Sequence, residues 1–308
     1  MTTVTKTSGT PTTATPTTLT TGIDSGAAVS TTSNAPDWRK LGGHFLSALT
    51  IFLSLLIFFP IFWMVLTSFK TEVDAYTDPP MLVFNPTLEN YQVAIQESRY
   101  PSYLLNTVLI VGFSTFVALA LGVPAAYSLA FYPGKRNAAI MMWIMSTRML
   151  PAVGVIVPLY VIFNRLELFD THLGLILLYT AMNLPLVIWM MRSFLADLPY
   201  EVLEAARIDG ATLWQEFVQI ILPLALPGLM ATILLCLIFT WNEFFIAFNL
   251  TINKAAPLSV YIVSFKTSEG LFWAKMSAAA TITALPVVIA GWVAQRQLVR
   301  GLTAGAVK

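Results

Sequence analysis

From residue 41 to residue 69 this chain carries no formally charged side chain, and the stretch contains HFLSALTIFLSLLIFFPIFWMVLTSF. A helix rises about 1.5 Å per residue, so roughly 20 apolar residues cross a hydrocarbon core. A continuous apolar run in lipid must satisfy its own backbone hydrogen bonds, and the helix does so. Five further runs follow. The second lies between Arg99 and Lys135, and the third covers 137–163 with one charge, Arg148. The fourth sits between Asp170 and Arg192. The fifth starts near Pro223 and reaches about Leu250, with Glu243 inside it, and the sixth fills the gap from Lys275 to Arg296. The expected class is all-α, a polytopic membrane protein with six transmembrane helices.

Composition agrees. Charged residues make up 11% and hydrophobic residues 56%, whereas a soluble domain carries about 25% charged residues. A net charge of +1 from 17 basic and 16 acidic side chains gives no electrostatic footprint for nucleic acid. The single cysteine, Cys236, excludes an internal disulfide, and two histidines leave little for a metal site.

Six spans put both termini on one side of the bilayer. Arg39 and Lys40, Lys135 and Arg136, and Arg296 and Arg300 form three short basic clusters that mark that side as cytoplasmic. Lys254, Lys266 and Lys275 in the fifth loop weigh against this. Residues 1–40, dominated at first by Thr, Ser, Pro, Ala and Gly, lack a signal-peptide core and are expected to be a disordered cytoplasmic tail. Residues 41–298 would form the transmembrane domain and 299–308 a cytoplasmic C-terminal tail. Two loops on the other side are long. In residues 70–100, Asp78-Pro79-Pro80 and Asn85-Pro86 force extended or turn geometry. Residues 251–275 mix apolar and polar groups and are expected to pack, either on their own spans or against a partner.

The loop between the fourth and fifth spans, DLPYEVLEAARIDGATLWQEFVQIILP over 197–223, is too polar to span. Pro199 suits a first helical turn. Val202, Leu203, Ala206 and Ile208 supply an apolar stripe, and Glu201, Glu204 and Arg207 a polar one. Gly210 stands where a helix ends in a left-handed residue. Thr212 and Gln215 form a capping box for a second helix that runs to Pro223, where the fifth span opens. The loop therefore reads as a helical hairpin, with Ala205 and Ala206 as a flat face for a partner. An interfacial amphipathic hairpin is the competing reading, but the segment has few basic residues to anchor it on lipid.

This segment resembles the EAA loop of bacterial ABC importer permeases, whose pattern is E-A-A, three residues, G, nine residues, I-x-L-P. Glu204-Ala205-Ala206, Gly210 and Ile220-Ile221-Leu222-Pro223 match it, with Asp209 beside the glycine. The resemblance extends from about residue 40 to 308 and is nearest to the maltose-type carbohydrate importers. FFPIFWMVLTSFKTEVDAYTDPP, AAPLSVYIVSF and GLFWAKMSA look most like the mannitol/sorbitol permeases, and QRQLVRGLTAGAVK like a tail that enters the ATPase dimer. The Thr-rich N-terminal segment is outside the family pattern. The resemblance implies a cytoplasmic coupling hairpin carried by Glu204, Ala205, Ala206, Asp209, Gly210, Leu222 and Pro223. It also implies a bacterial inner-membrane location, a second permease subunit, two copies of an ABC ATPase and an extracytoplasmic solute-binding protein. No cofactor is expected on this chain; ATP and magnesium would sit on the ATPase subunits.

Arg148 falls about eleven residues into its span, where a guanidinium costs roughly 2.5–3.5 kcal/mol even on the lenient insertion scale. It should face the protein interior or a polar cavity, in a helix bent by Pro151 and Pro158. Glu243, counted roughly 30 Å along from Pro223, falls near the outer boundary of the core; it either snorkels to water or serves a pathway, and it could pair with Arg148. Asn183, Trp241 and Asn242 could add the amide and aromatic groups that match sugar hydroxyls.

Two other classes compete. An ion-coupled secondary carrier needs midplane carboxylates, and only Glu243 qualifies. A membrane enzyme needs clustered catalytic groups, and one cysteine with two scattered histidines supplies none. The chain also lacks a G-x-x-x-x-G-K-[ST] phosphate loop: PGKR at 133–136 has the Gly-Lys pair without the upstream glycine or the hydroxyl. ATP chemistry would therefore fall to partner chains.

Overall fold

The computed structural model describes residues 38–304, apart from 98, 133, 268 and 269. The expectations for the Thr-rich segment before Trp38 and for residues 305–308 lie outside the described residues. Packing divides the chain between Ser54 and Leu55, and the contacts below concern Leu55 onward.

Ten helices carry the architecture of the described residues. They are α1 (Trp38–Ser68), α2 (Tyr100–Phe131), α3 (Asn137–Arg148), α4 (Ala152–Arg165), α5 (His172–Ala196), α6 (Tyr200–Ile208), α7 (Leu213–Leu224), α8 (Leu226–Trp241), α9 (Phe245–Leu250) and α10 (Trp273–Ala304). Short helical turns and a two-residue antiparallel ladder, Lys266–Thr267 with Gly270–Leu271, complete the described residues. Helix α1 begins at Trp38 and α10 runs to Ala304, so both reach into segments expected to be tails.

Among the described residues, four helices are long and apolar enough to cross a bilayer. Two bent pairs, α3 with α4 at 84° and α7 with α8 at 76°, raise the number to six if each counts as one span. The third span is therefore not one bent helix. It breaks after Arg148, because Pro151 biases Leu150 away from the helical region and caps α4 instead. Pro158 lies inside α4 and breaks nothing. The fifth span differs as well. Pro223 does not open it but sits within α7, whose residues Glu216–Ile221 widen into a π turn just before it. A proline has no N–H for the carbonyl of Gln219, and the wider turn accommodates that loss. The bend comes at Ala225, and α8 starts with Leu226-Pro227. A further break at 242–244 separates α8 from α9.

The most extensive helix pair is α2 against α5. Ser114, Ala118, Gly122 and Ala126 recur every fourth residue on the buried face of α2, and small residues let helix backbones approach closely. A Cβ added at Gly122 would lie 2.6 Å from Val187 Cγ1.

The two long loops pack at the end of α2 that begins at Tyr100. Asn106 donates through Nδ2 to the carbonyls of Lys254 and Ala256, both at 3.0 Å, and Leu258 N donates to Thr107 Oγ1 at 2.8 Å. Asn106 Oδ1 is thereby left as acceptor for His172 Nε2 at 2.7 Å. The Tyr261 hydroxyl donates to Ala94 O, joining the two loops. Residues 70–100 are tied in by Asn90 Nδ2, which donates to Ser68 O and Lys70 O.

Asp170, left-handed at φ 53°, gathers the backbone N–H groups of Ile252, Asn253, Lys254 and Ala255 on its carboxylate at 3.0–3.2 Å. Burial opposes its ionisation, but these amides outweigh it and hold the carboxyl below the usual carboxylate range. A depressed carboxyl adds stability that is complete above the unfolded value of about 3.9 and is lost as pH falls through the folded value. Asp170→Ala should therefore speed hydrogen exchange at residues 252–255 at neutral pH by about tenfold, with Asp170→Asn intermediate, since charge-assisted bonds contribute about 1.5–3 kcal/mol. Unchanged exchange in the alanine variant would show that the loop holds itself.

Candidate functional site

At the opposite end of α2, helices α6 and α7 form the hairpin, and local chemistry sets its shape. Gly210 has φ +82°. Its N–H donates to Arg207 O at 3.1 Å, and Ala211 N donates to Ala206 O at 3.0 Å, the paired bonds of a Schellman ending. The capping box then starts α7: Thr212 N donates to Gln215 Oε1 at 2.9 Å and Gln215 N to Thr212 Oγ1 at 3.4 Å. Both features follow the sequence expectation.

The faces do not follow it fully. Leu203 and Ala206 are buried, so Ala206 packs inward and Ala205 alone of the two alanines is free to meet another protein. Ile208, assigned to the apolar stripe, is 86% exposed. Glu204, Asp209 and Gly210 are exposed at the tip. Leu213 and Trp214, at 63% and 72%, join them. Sequence reasoning missed these two. Leu222 is half-buried and Pro223 exposed, both within α7.

The hairpin's anchor was also missed. Glu216 is fully buried, and its carboxylate accepts from Arg207 Nε at 2.8 Å and Nη2 at 3.1 Å. The Tyr127 hydroxyl of α2 donates to the same carboxylate. Arg207 also lies over the rings of Tyr132 and Tyr200. Hydrogen bonding to Glu216 raises the Arg207 guanidinium above its already high ordinary value. One buried carboxylate therefore bolts α6, α7 and the end of α2 together. Opposite charges flanking the Gly210 turn were the sequence sign of it. Tyr127, 89 positions from Glu216, gave none.

The pathway candidates divide between two cavities. Arg148, Asn183 and Glu243 line one cavity of about 550 Å³, with Tyr179, Phe239 and Thr240. Arg148 ends α3 beside it and stacks 5.1 Å from the centre of the Phe239 ring. Arg148 borders this cavity from the helix break but is itself exposed, so it is not enclosed in the protein interior. Asn183 Nδ2 donates to Thr240 Oγ1 at 2.7 Å. Glu243 is not a snorkelling group at the end of a continuous span. Its carboxylate caps α9, accepting from Ile246 N at 2.9 Å and Ala247 N at 3.1 Å, and takes the Tyr179 hydroxyl at 2.7 Å. No ion pair joins it to Arg148 among the described residues. Trp241 and Asn242 face a separate cavity of about 330 Å³. There Trp241 Nε1 donates to Thr283 O at 3.3 Å, and Asn242 Nδ2 donates back to Ile238 O.

The family model described as "Binding-protein-dependent transport system inner membrane component" matches residues 118–303. The chain is 36% identical over 262 residues to "Probable ABC transporter permease protein y4oR" of Sinorhizobium fredii, covering 84% of this chain and 94% of the relative. It is 34% identical to "Trehalose transport system permease protein SugB" of Mycobacterium tuberculosis, covering 81% and 92%. Among solved structures, a chain of a bacterial ABC transporter involved in import of the acidic polysaccharide alginate is similar in fold. The TM-score is 0.71 at 22% identity, over 84% of this chain and 97% of that one.

Proposed function

The chain belongs to the binding-protein-dependent transport system inner membrane component family, as a multi-pass ABC transporter permease of the sugar-importer kind, and from that membership we propose that it forms half of the pore of an importer for a carbohydrate or sugar alcohol. A second permease subunit supplies the other half. Two copies of an ATPase subunit bind ATP and magnesium, and an extracytoplasmic solute-binding protein delivers the ligand. Both termini and the α6–α7 hairpin face the cytoplasm, and the six-span count takes each bent pair as one crossing.

One observation carries the coupling role. The exposed tip of Glu204, Ala205, Ile208, Leu213 and Trp214 stands on a base fixed by Arg207, Glu216 and Tyr127. A push on the tip is then delivered to α2, and α2 packs along α5. Closure of the ATPase pair around ATP moves the hairpin, and the spans rock between inward- and outward-facing arrangements. Relatives named for trehalose, trehalose/maltose and diacetylchitobiose transport favour a polyhydroxylated ligand. The mannitol/sorbitol assignment is the narrower form of the proposal. The ion-coupled alternative is disfavoured because amides and a tyrosine already occupy the Glu243 carboxylate.

The test is reconstitution with the partner subunits in liposomes. Sorbitol, mannitol and trehalose are each offered with the solute-binding protein. Uptake should require ATP, and ligand-loaded binding protein should stimulate hydrolysis several-fold. Uptake driven by an ion gradient without ATP would reject the reading. Uptake of trehalose but neither hexitol would reject only the sugar-alcohol form.

A further inference from the structure

We propose that this chain holds a second ligand site, for a small uncharged polyhydroxylated molecule, in the cavity between the end of α1, residues 70–80 and the start of α10. It lies apart from the cavity of Arg148 and Glu243. The choice of probe rests on the carbohydrate reading above; the geometry does not.

The cavity measures about 420 Å³, within the roughly 300–1,000 Å³ of small-molecule sites. Trp63 and Trp273 supply rings, while Thr67, Asp74 and Ser277 supply polar groups. Its walls are fixed. The Glu72 carboxylate accepts from Ala274 N at 3.2 Å and Lys275 N at 2.9 Å, which ties residues 70–80 to the first turn of α10. Asn90 ties the same segment to the end of α1.

The polar groups are unspent. Thr67 is 8% exposed, and its buried hydroxyl has no partner. A buried hydroxyl left unpaired costs roughly 1–3 kcal/mol, so its position calls for an occupant that hydrogen-bonds. Ser277 is 9% exposed. Among the described residues the Ser277 hydroxyl makes no hydrogen bond, and the half-buried Asp74 carboxylate accepts none.

Charge selects the ligand class. Lys70, 2% exposed, is already engaged: Nζ donates to Met81 O at 2.6 Å and sits 4.5 Å from the Trp63 ring centre. Lys70 is thus held against Met81 O and the Trp63 ring, and the Asp74 carboxylate in the same wall would repel an anion. The Lys70 ammonium in the same wall offsets Asp74 and disfavours an organic cation. What remains is a net-neutral cavity with a free acceptor, two free hydroxyls and aromatic surface. Hydroxyl groups on an apolar carbon face meet that set, with O–H donating to Asp74 and C–H packing on indole.

The experiment titrates the full-length chain, purified with its partner subunits, with sorbitol, following tryptophan emission and saturation-transfer NMR. Wild type should give a saturable response. Asp74→Asn and Thr67→Val should each raise Kd about tenfold, the effect of losing one good hydrogen bond. Trp273→Phe should lose most of the emission change while keeping the NMR signal. Ser277→Ala serves as a milder variant should either of the first two fail to assemble. Equal Kd values across the variants, or no saturable binding in wild type, would overturn the site. Displacement of sorbitol by glycerol phosphate or choline at lower concentration would also overturn it, by showing an ionic occupant. ATP-driven uptake without binding here would remove this site and leave the importer reading standing.

Discussion

Arg207→Ala is expected to destabilise the chain by about 3 kcal/mol, the low end for breaking a buried ion pair. The low end applies because the Arg207 side chain is 34% exposed, whereas Glu216 is fully buried. Removing the arginine leaves a buried carboxylate facing only the Tyr127 hydroxyl. The reverse change, Glu216→Leu, should cost less. It frees a guanidinium that water can reach and that still has the rings of Tyr132 and Tyr200 beside it. The triple variant Arg207→Ala, Glu216→Leu, Tyr127→Phe should recover most of the loss, since apolar replacement of a whole buried polar set is close to neutral. Thermal unfolding of the solubilised chain measures the series. Losses of less than about 1 kcal/mol from both single changes, as for a solvent-exposed pair, would mean that Glu216 is hydrated in solution and bolts nothing.

Gly210→Val is expected to leave the chain in the membrane yet abolish uptake. At φ +82° a β-branched residue is strained by of order 1 kcal/mol or more. A Cβ there meets nothing within 4 Å, so the effect comes from the backbone and not from a clash. Turning α7 relative to α6 would relieve the strain, and under the proposed coupling role it would move Glu204 and Ala205 out of register with the ATPase. Gly210→Asn, which tolerates the left-handed region, should stay near wild type. Capture of the ATPase on the tagged permease, measured beside labelled-ligand uptake, separates the cases. Wild-type capture and transport by the valine variant would show that the hairpin does not couple.

The sequence by itself determined the helical class and the four long apolar helices able to cross lipid. Those follow from charge-free length, and a helix in lipid satisfies its own backbone. It also determined the hairpin turn, because Gly210, Thr212 and Gln215 act within a few residues of one another. Tertiary structure alone decided which faces point where. It turned Ala206 inward and Ile208 outward, joined Glu216 to Tyr127, and separated Trp241 and Asn242 from the cavity of Arg148, Asn183 and Glu243. It also broke the fifth span twice, at Ala225 and at 242–244, so a count along one continuous helix misplaced Glu243. The physical reason is that a span apolar on every side carries no facial asymmetry from which its rotation can be read. Rotation is settled by close approach, as at Gly122 against Val187, and by polar groups that find partners far away in the chain.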